Sequence, residues 1–288
     1  MAESEAGEGN ERRFLYPTDE DLRVPKVGSS AAEGRYWGEK YCSERSIRAG
    51  AIGAAQEQSK FAQASPGGVS LAVIGTSHLA FCTAVAAARN GFTVYPEEEI
   101  EKAELVIVAE DTPTTTAGIR NEVYIADKIR SITSEFVVVA SQVSPGFCKR
   151  MGTSIYHQPE QLRILSATEN ALHPHRIVVG CAQPTKFEEL PAAYRTYLTA
   201  FNCPVLLMSY EEAEFSKIAI NMWLAAQVDT TNRLAAAAAK VGASWERIAE
   251  AMRLDPRIGK DAYLTPGRWQ DSLHLLRDHV TLSEIARQ

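Results

Sequence analysis

The chain lacks long apolar runs. None approaches the roughly 20 residues that a bilayer-spanning helix needs, so no membrane span is expected. It also lacks an excess of basic residues: 30 Lys and Arg stand against 36 Asp and Glu. A basic stripe able to hold a phosphate backbone is therefore missing, and nucleic acid is not an expected partner. Cysteine is sparse. Cys42, Cys82, Cys148, Cys181 and Cys203 are odd in number and scattered, with neither a paired framework nor a C-x-x-C zinc spacing. No metal is expected, and a reducing cytoplasm is the simplest home. The opening stretch, MAESEAGEGNERR, has no apolar segment of the kind a secretory signal carries.

What is present falls into three zones. Residues 1–68 are rich in Glu, Gly and Ser and poor in aliphatics, with an aromatic cluster at Tyr36, Trp37 and Tyr41 and a helical pattern over 43–64. They read as a polar leader, either partly disordered or an arm that docks through its aromatics. Pro66-Gly67-Gly68 punctuates the boundary. Residues 69–209 alternate between short apolar runs and helical patterns. Strands are expected over 69–74, 92–95, 105–109, 136–140, 155–157, 176–180 and 205–208, and helices over 81–90 and 117–132. Such alternation implies a Rossmann-like, doubly wound, mostly parallel α/β sheet. Residues 210–288 switch to helical periodicity. An Ala-rich helix without Pro or Gly is expected over 211–241 and a second helix over 245–253, capped by Ser244. A helix of that length and composition reads as a packing spine or a dimer seam.

Between the first strand and first helix lies Gly75-Thr76-Ser77-His78-Leu79-Ala80. A dinucleotide such as NAD is held at such a turn by G-x-G-x-x-G: the glycines allow a tight bend, close approach of backbone to pyrophosphate and close helix packing. Gly75 keeps the first position, while Ser77 and Ala80 take the other two. The ribose hydroxyls call for an acid about 20 residues on. Glu98 is near that distance, although Glu97, Glu98 and Glu99 also read as a solvated helix start. His173 and His175 form a His-x-His pair, which reads as a loop entering a strand because no further ligand is near.

The residues from Ala213 to Asp278 resemble the core of the UDP-glucose/GDP-mannose dehydrogenase family. The segment Asp255-Pro256-Arg257-Ile258-Gly259 is similar to one that, in the family, precedes a loop of the type PG(F/Y)GGSCFPKD carrying a catalytic cysteine. Here the loop reads Pro266-Gly267-Arg268-Trp269-Gln270-Asp271-Ser272-Leu273, without cysteine. Aligned on Pro-Gly, Ser272 takes the nucleophile's position; counted ungapped from Arg257, Leu273 does. Upstream, 103–113 resembles ADVIFIAVGTP, a strand end that implies cofactor contact at Thr112, with Glu110-Asp111 replacing a neutral Val-Gly pair. VVVASQVSPG over 137–146 resembles VVVKSTVPPG, with Gln142 in place of a catalytic threonine. QPEQLRI over 158–164 resembles NPEFLRE, with Glu160 matching the first glutamate and Ile164 replacing the second. Lys217 and Asn221 match a catalytic lysine and asparagine at the same four-residue spacing, which puts both on one helix face. Arg257 matches an arginine that reaches the substrate.

The family oxidises a sugar alcohol to the acid in two hydride transfers through a thioester on the cysteine. Serine cannot replace the thiolate without a dedicated base, and only His274 is a remote candidate. The resemblance therefore implies a shortened, divergent relative that does not perform the full oxidation, with the family's C-terminal nucleotide-sugar domain expected to be missing. If active, it carries out a two-electron NAD-linked step or altered chemistry centred on Lys217. The alternative is a noncatalytic relative that binds a nucleotide sugar or other small polar ligand, or pairs with a partner. The resemblance implies a homodimer, or pairing with a full-length homologue, through the 211–241 helix.

Overall fold

The computed structural model describes residues 68–287 except 161, 163–166, 184 and 185. The readings of the polar leader, its aromatic cluster and Ile164 lie outside the described residues. Those described belong to one compact unit, Glu44–Gln288.

Seven strands form one sheet: β1 (Ser70–Ile74), β2 (Thr93–Tyr95), β3 (Leu105–Val108), β4 (Val137–Val139), β5 (Ile155–His157), β6 (Ile177–Cys181) and β7 (Val205–Ser209). Their order is β2-β1-β3-β4-β5-β6-β7. Every neighbouring pair is parallel except β5 and β6. A doubly wound dinucleotide fold orders its strands 3-2-1-4-5-6. Here β2 is the outermost strand and β3 crosses to the far side of β1, so this end is one strand shorter. The missing strand accounts for the abrupt passage from β2 into β3.

The strands are apolar on both faces because helices cover both. Leu71, Leu105, Ile107, Val138 and Val179 pack on one side with α1 (His78–Arg89) and α5 (Ala192–Ala200). Ala72, Ile74, Val106, Val108 and Val139 pack on the other with α2 (Glu122–Arg130) and α3 (Phe147–Met151). A short α4 (Ala167–Leu172) lies against α1. Helix α1 closes with paired backbone bonds, Gly91 N–H to Ala88 and Phe92 N–H to Ala87, and Gly91 adopts the positive φ such a cap requires.

Helix α6 (Tyr210–Lys240) begins directly after β7, because Ser209 and Glu212 form a reciprocal capping box. It lies close against the sheet, since Gly180 on β6 leaves no side chain to collide with Ala213; a Cβ there would sit 2.6 Å from that of Ala213. Helix α7 (Trp245–Arg253) follows, capped by Ser244 as expected, and α8 (Leu273–Ile285) returns to pack on α6. No helix among the described residues is long and apolar enough to cross a membrane.

His157, at the end of β5, is fully enclosed and bonds through Nδ1 to the Val139 carbonyl at 3.0 Å. Burial pushes its pKa down to about 4. The unfolded chain, with an ordinary imidazole, binds more protons between about pH 6.5 and pH 4. His157 therefore adds stability that is fully present above that window and lost as the pH falls through it, by about 3 kcal/mol. Urea midpoints at pH 7 and pH 4.5 are expected to separate less in His157→Gln than in the wild type; equal separation would contradict this assignment.

Candidate active site

Ligands of open α/β sheets lie in the crevice outside the carboxyl ends of the strands, where the order reverses. That crevice is here between β1 and β3. Gly75 follows β1 at φ +144°, and a Cβ on it would come within 2.9 Å of the Ala109 carbonyl. Glycine is thus required by the approach of the β3 end. The Glu110 carboxylate, 5% exposed, folds back into the turn and accepts the Thr76 backbone N–H at 2.9 Å. The Ser77 hydroxyl donates to Ala109 O at 3.0 Å and accepts the Asp111 N–H at 3.1 Å, so it does not cap α1. Ala80 is buried against this turn. The Thr112 hydroxyl donates to the Gln142 carbonyl at 2.7 Å, tying the ends of β3 and β4. Glu98 lies three residues beyond the end of β2, exposed in a 3-10 turn over Glu97–Lys102. It joins none of these groups; Tyr95 holds the strand end itself.

The second assembly is a buried polar knot. Asp278 on α8 is 0% exposed. Its carboxylate accepts both the Gln142 amide at 2.7 Å and the Asn221 amide at 2.6 Å. It also pairs with Arg120, whose guanidinium donates to Thr281 and to the Arg277 carbonyl. The neighbouring Arg277 donates to Gln142 Oε1 and pairs with Asp111 at 3.0 Å. Burial pushes the Arg120 pKa down, Asp278 raises it, and Arg277 lowers it further. Arg120 has Asp278 as its counter-ion and the adjacent Arg277 has Asp111, and the Nε atoms of both arginines are left without partners.

One turn before Asn221, Lys217 pairs with Glu160 at 3.1 Å; both side chains are largely buried. His274, on the first turn of α8, feels the same charges. Burial first, then Arg277, pushes its pKa down, Asp111 and Glu160 oppose, and Lys217 adds to the fall. The imidazole is therefore neutral at neutral pH.

The structure thus brings together Lys217, Glu160, Asn221 and Gln142, and separately Gly75, Ser77 and Ala80. Arg257 is apart from both: it is exposed and bonds Asp255 at 2.6 Å. Ser272 is the residue preceding α8, its N–H spent on Trp269 O. Cys148 lies against Glu214, which accepts its backbone N–H at 2.7 Å, and burial pushes the thiol's pKa far up. Burial also raises Cys82. Neither supplies a thiolate at neutral pH. His173 and His175 lie in the connection entering β6. Among the described residues no group of three or more His, Cys, Asp or Glu is placed to hold a metal ion.

The family model for the UDP-glucose/GDP-mannose dehydrogenase family, central domain, matches residues 211–288. The UDP-glucose 6-dehydrogenase of Rickettsia bellii is 28% identical over 221 residues, 72% of this chain and 50% of that protein. Its counterpart from Pseudomonas aeruginosa is 30% identical over 193 residues, 60% of this chain and 42% of that one. Residues 211–288 thus match the central domain of the UDP-glucose/GDP-mannose dehydrogenase family, and the chain is similar to UDP-glucose 6-dehydrogenases over a longer stretch. It spans about half the length of the curated relatives it matches. A UDP-glucose dehydrogenase from Pyrobaculum islandicum superposes with a TM-score of 0.61 at 24% identity, covering 75% of this chain and 65% of that one. A GDP-mannose dehydrogenase from Pseudomonas aeruginosa gives 0.55 at 19%, covering 68% and 59%. At these identities the likeness establishes the fold.

Within the family's cysteine loop the aspartate follows the cysteine by four residues. Gln142 and Asn221 converge on Asp278, which Arg277 precedes as the lysine precedes the aspartate in that motif. Counted back four residues from Asp278 the position is His274; counted from Pro266-Gly267 it is Ser272, and ungapped from Arg257 it is Leu273.

Proposed function

We propose that this chain is a noncatalytic relative of the nucleotide-sugar dehydrogenases, a cytoplasmic protein that pairs through α6. The observation that carries the reading is the state of Asp278. Its carboxylate is enclosed and saturated by Gln142, Asn221 and Arg120, and no thiol stands four residues before it. A carboxylate so bound has no lone pair to offer a reacting water or alcohol, and none of His274, Ser272 or Leu273 at the cysteine's position can form a thioester. The group that would serve chemistry serves folding.

The pairing is supported by the outer face of α6. Phe215, Ala219, Trp223, Ala226, Thr230, Leu234 and Ala237 are all exposed, and their spacings of three and four residues put them on one stripe. Trp223 is 70% exposed at its centre. The occupant that fits is a second copy running antiparallel. That arrangement sets Phe215 toward Leu234 and opposes the acidic first turn, Glu211 and Glu212, to the end bearing Arg233 and Lys240. Sedimentation equilibrium of the wild type is expected to show a dimer at micromolar concentration; a monomer throughout would remove the pairing.

A second reading, two-electron chemistry centred on Lys217, is supported by the Lys217–Glu160 ion pair beside His274. It requires NAD(H) turnover, which the noncatalytic reading forbids.

A further inference from the structure

We infer that the dinucleotide turn of this chain is closed to NAD because Glu110 occupies, from within, the place of the pyrophosphate. A phosphate at such a turn is held by backbone N–H groups between the first strand and the first helix, where the helix dipole also favours negative charge. The first of those donors, Thr76 N–H, already has an anion on it: Glu110 Oε2 at 2.9 Å, with the Thr76 hydroxyl 3.5 Å from the same oxygen. The carboxylate is buried, so it is held in the turn. Ser77, at the position where a second glycine would let phosphate reach the backbone, is fastened on both sides, to Ala109 O and to Asp111 N–H.

The remaining features agree. Gly75, the one glycine of the fingerprint that is kept, has a reason of its own in its contact with Ala109 O, so its presence does not signal a ligand. Asp111 adds a second carboxylate at the same strand end, held by Arg277. With Asp111 offset by Arg277, the charge that borders the path a pyrophosphate would take is that of Glu110, and charges in a part-buried crevice are weakly screened. At the ribose end, β2 is the sheet's edge and the candidate acid Glu98 is exposed on a turn beyond it. Donor, space and charge are therefore all unsuited to NAD.

This inference deepens the noncatalytic reading and is separable from it, since NAD could bind without turning over. The test is calorimetric titration of the full chain with NAD+ and NADH. The wild type is expected to give no saturable heat up to about 1 mM ligand. Glu110→Val, which restores a neutral side chain and frees Thr76 N–H, is expected to bind at least about tenfold more tightly than the wild type. Glu110→Gln keeps an acceptor for Thr76 and removes only the charge, so it is expected to fall between the two, and it supplies the readout if Glu110→Val does not fold. Saturable wild-type binding below about 1 mM would overturn the inference, as would folded variants that gain nothing. Wild-type binding without NADH formation would overturn it and leave the noncatalytic reading standing.

Discussion

Asp278→Ala is expected to remove about 3–5 kcal/mol of folding stability, a large part of what holds a domain of this size. The reasoning follows from what the carboxylate leaves behind. Arg120, with 3% of its side chain exposed, would lose its counter-ion while remaining next to the Arg277 guanidinium. The amides of Gln142 and Asn221 would lose their acceptor in the same enclosed space. Breaking one partner out of a buried ionic network strands the others, and that stranding dominates the cost. The control is a contact of the same type at the surface. Arg130 and Asp127 are paired at 3.0 Å with side chains 65% exposed, and Asp127→Ala is expected to change stability by less than about 1 kcal/mol. Chemical denaturation of both variants makes the comparison. An Asp278→Ala chain as stable as the Asp127→Ala chain would show that the knot does not hold α8 to the sheet.

Trp223→Glu is expected to weaken self-association at least about 30-fold, the equivalent of losing an aromatic hot spot of 2 kcal/mol or more. Trp223 is the largest exposed apolar side chain on the stripe, and antiparallel pairing about the helix centre brings it onto its own copy. A glutamate there would meet a like charge across the two-fold axis. Because the residue is 70% exposed, the fold of each protomer is expected to be unaffected, and its far-ultraviolet dichroism unchanged. Sedimentation of the variant beside the wild type reads the difference. An unaltered association constant would place the seam elsewhere than on α6.

The sheet and the long helix were readable from the residues because their signals are local. Runs such as LVIV in β3 and VVV in β4 are too short and too β-branched for a helix, and the absence of Gly and Pro between Glu211 and Lys240 leaves α6 uninterrupted. Direction is not local. The antiparallel pairing of β5 with β6 has no trace in three residues of sequence. Helix α1 starts at His78, before the apolar pattern beginning at Phe81 announces it.

The site divides in the same way. Lys217 and Asn221 announce themselves by sharing a helix face, but their partners do not. Glu160 comes to Lys217, and Asp278 to Asn221, only through the fold. Arg120 meets Asp278 across 158 residues, and no periodicity connects them. Gly75 shows a further limit: one glycine satisfies both a phosphate turn and a tight β1–β3 approach, and only the Ala109 contact separates the two. The adjacent Glu110 and Asp111 read as charges set against a phosphate; that Glu110 turns inward onto the Thr76 N–H became visible only in three dimensions.

On the proposed reading, this dehydrogenase-like frame holds structure rather than redox chemistry. Absorbance at 340 nm, followed with the wild-type chain, NAD+ and either UDP-glucose or GDP-mannose, tests it most directly. No NADH above the protein-free blank is expected. Saturable NADH formation that disappears in Lys217→Ala would contradict it.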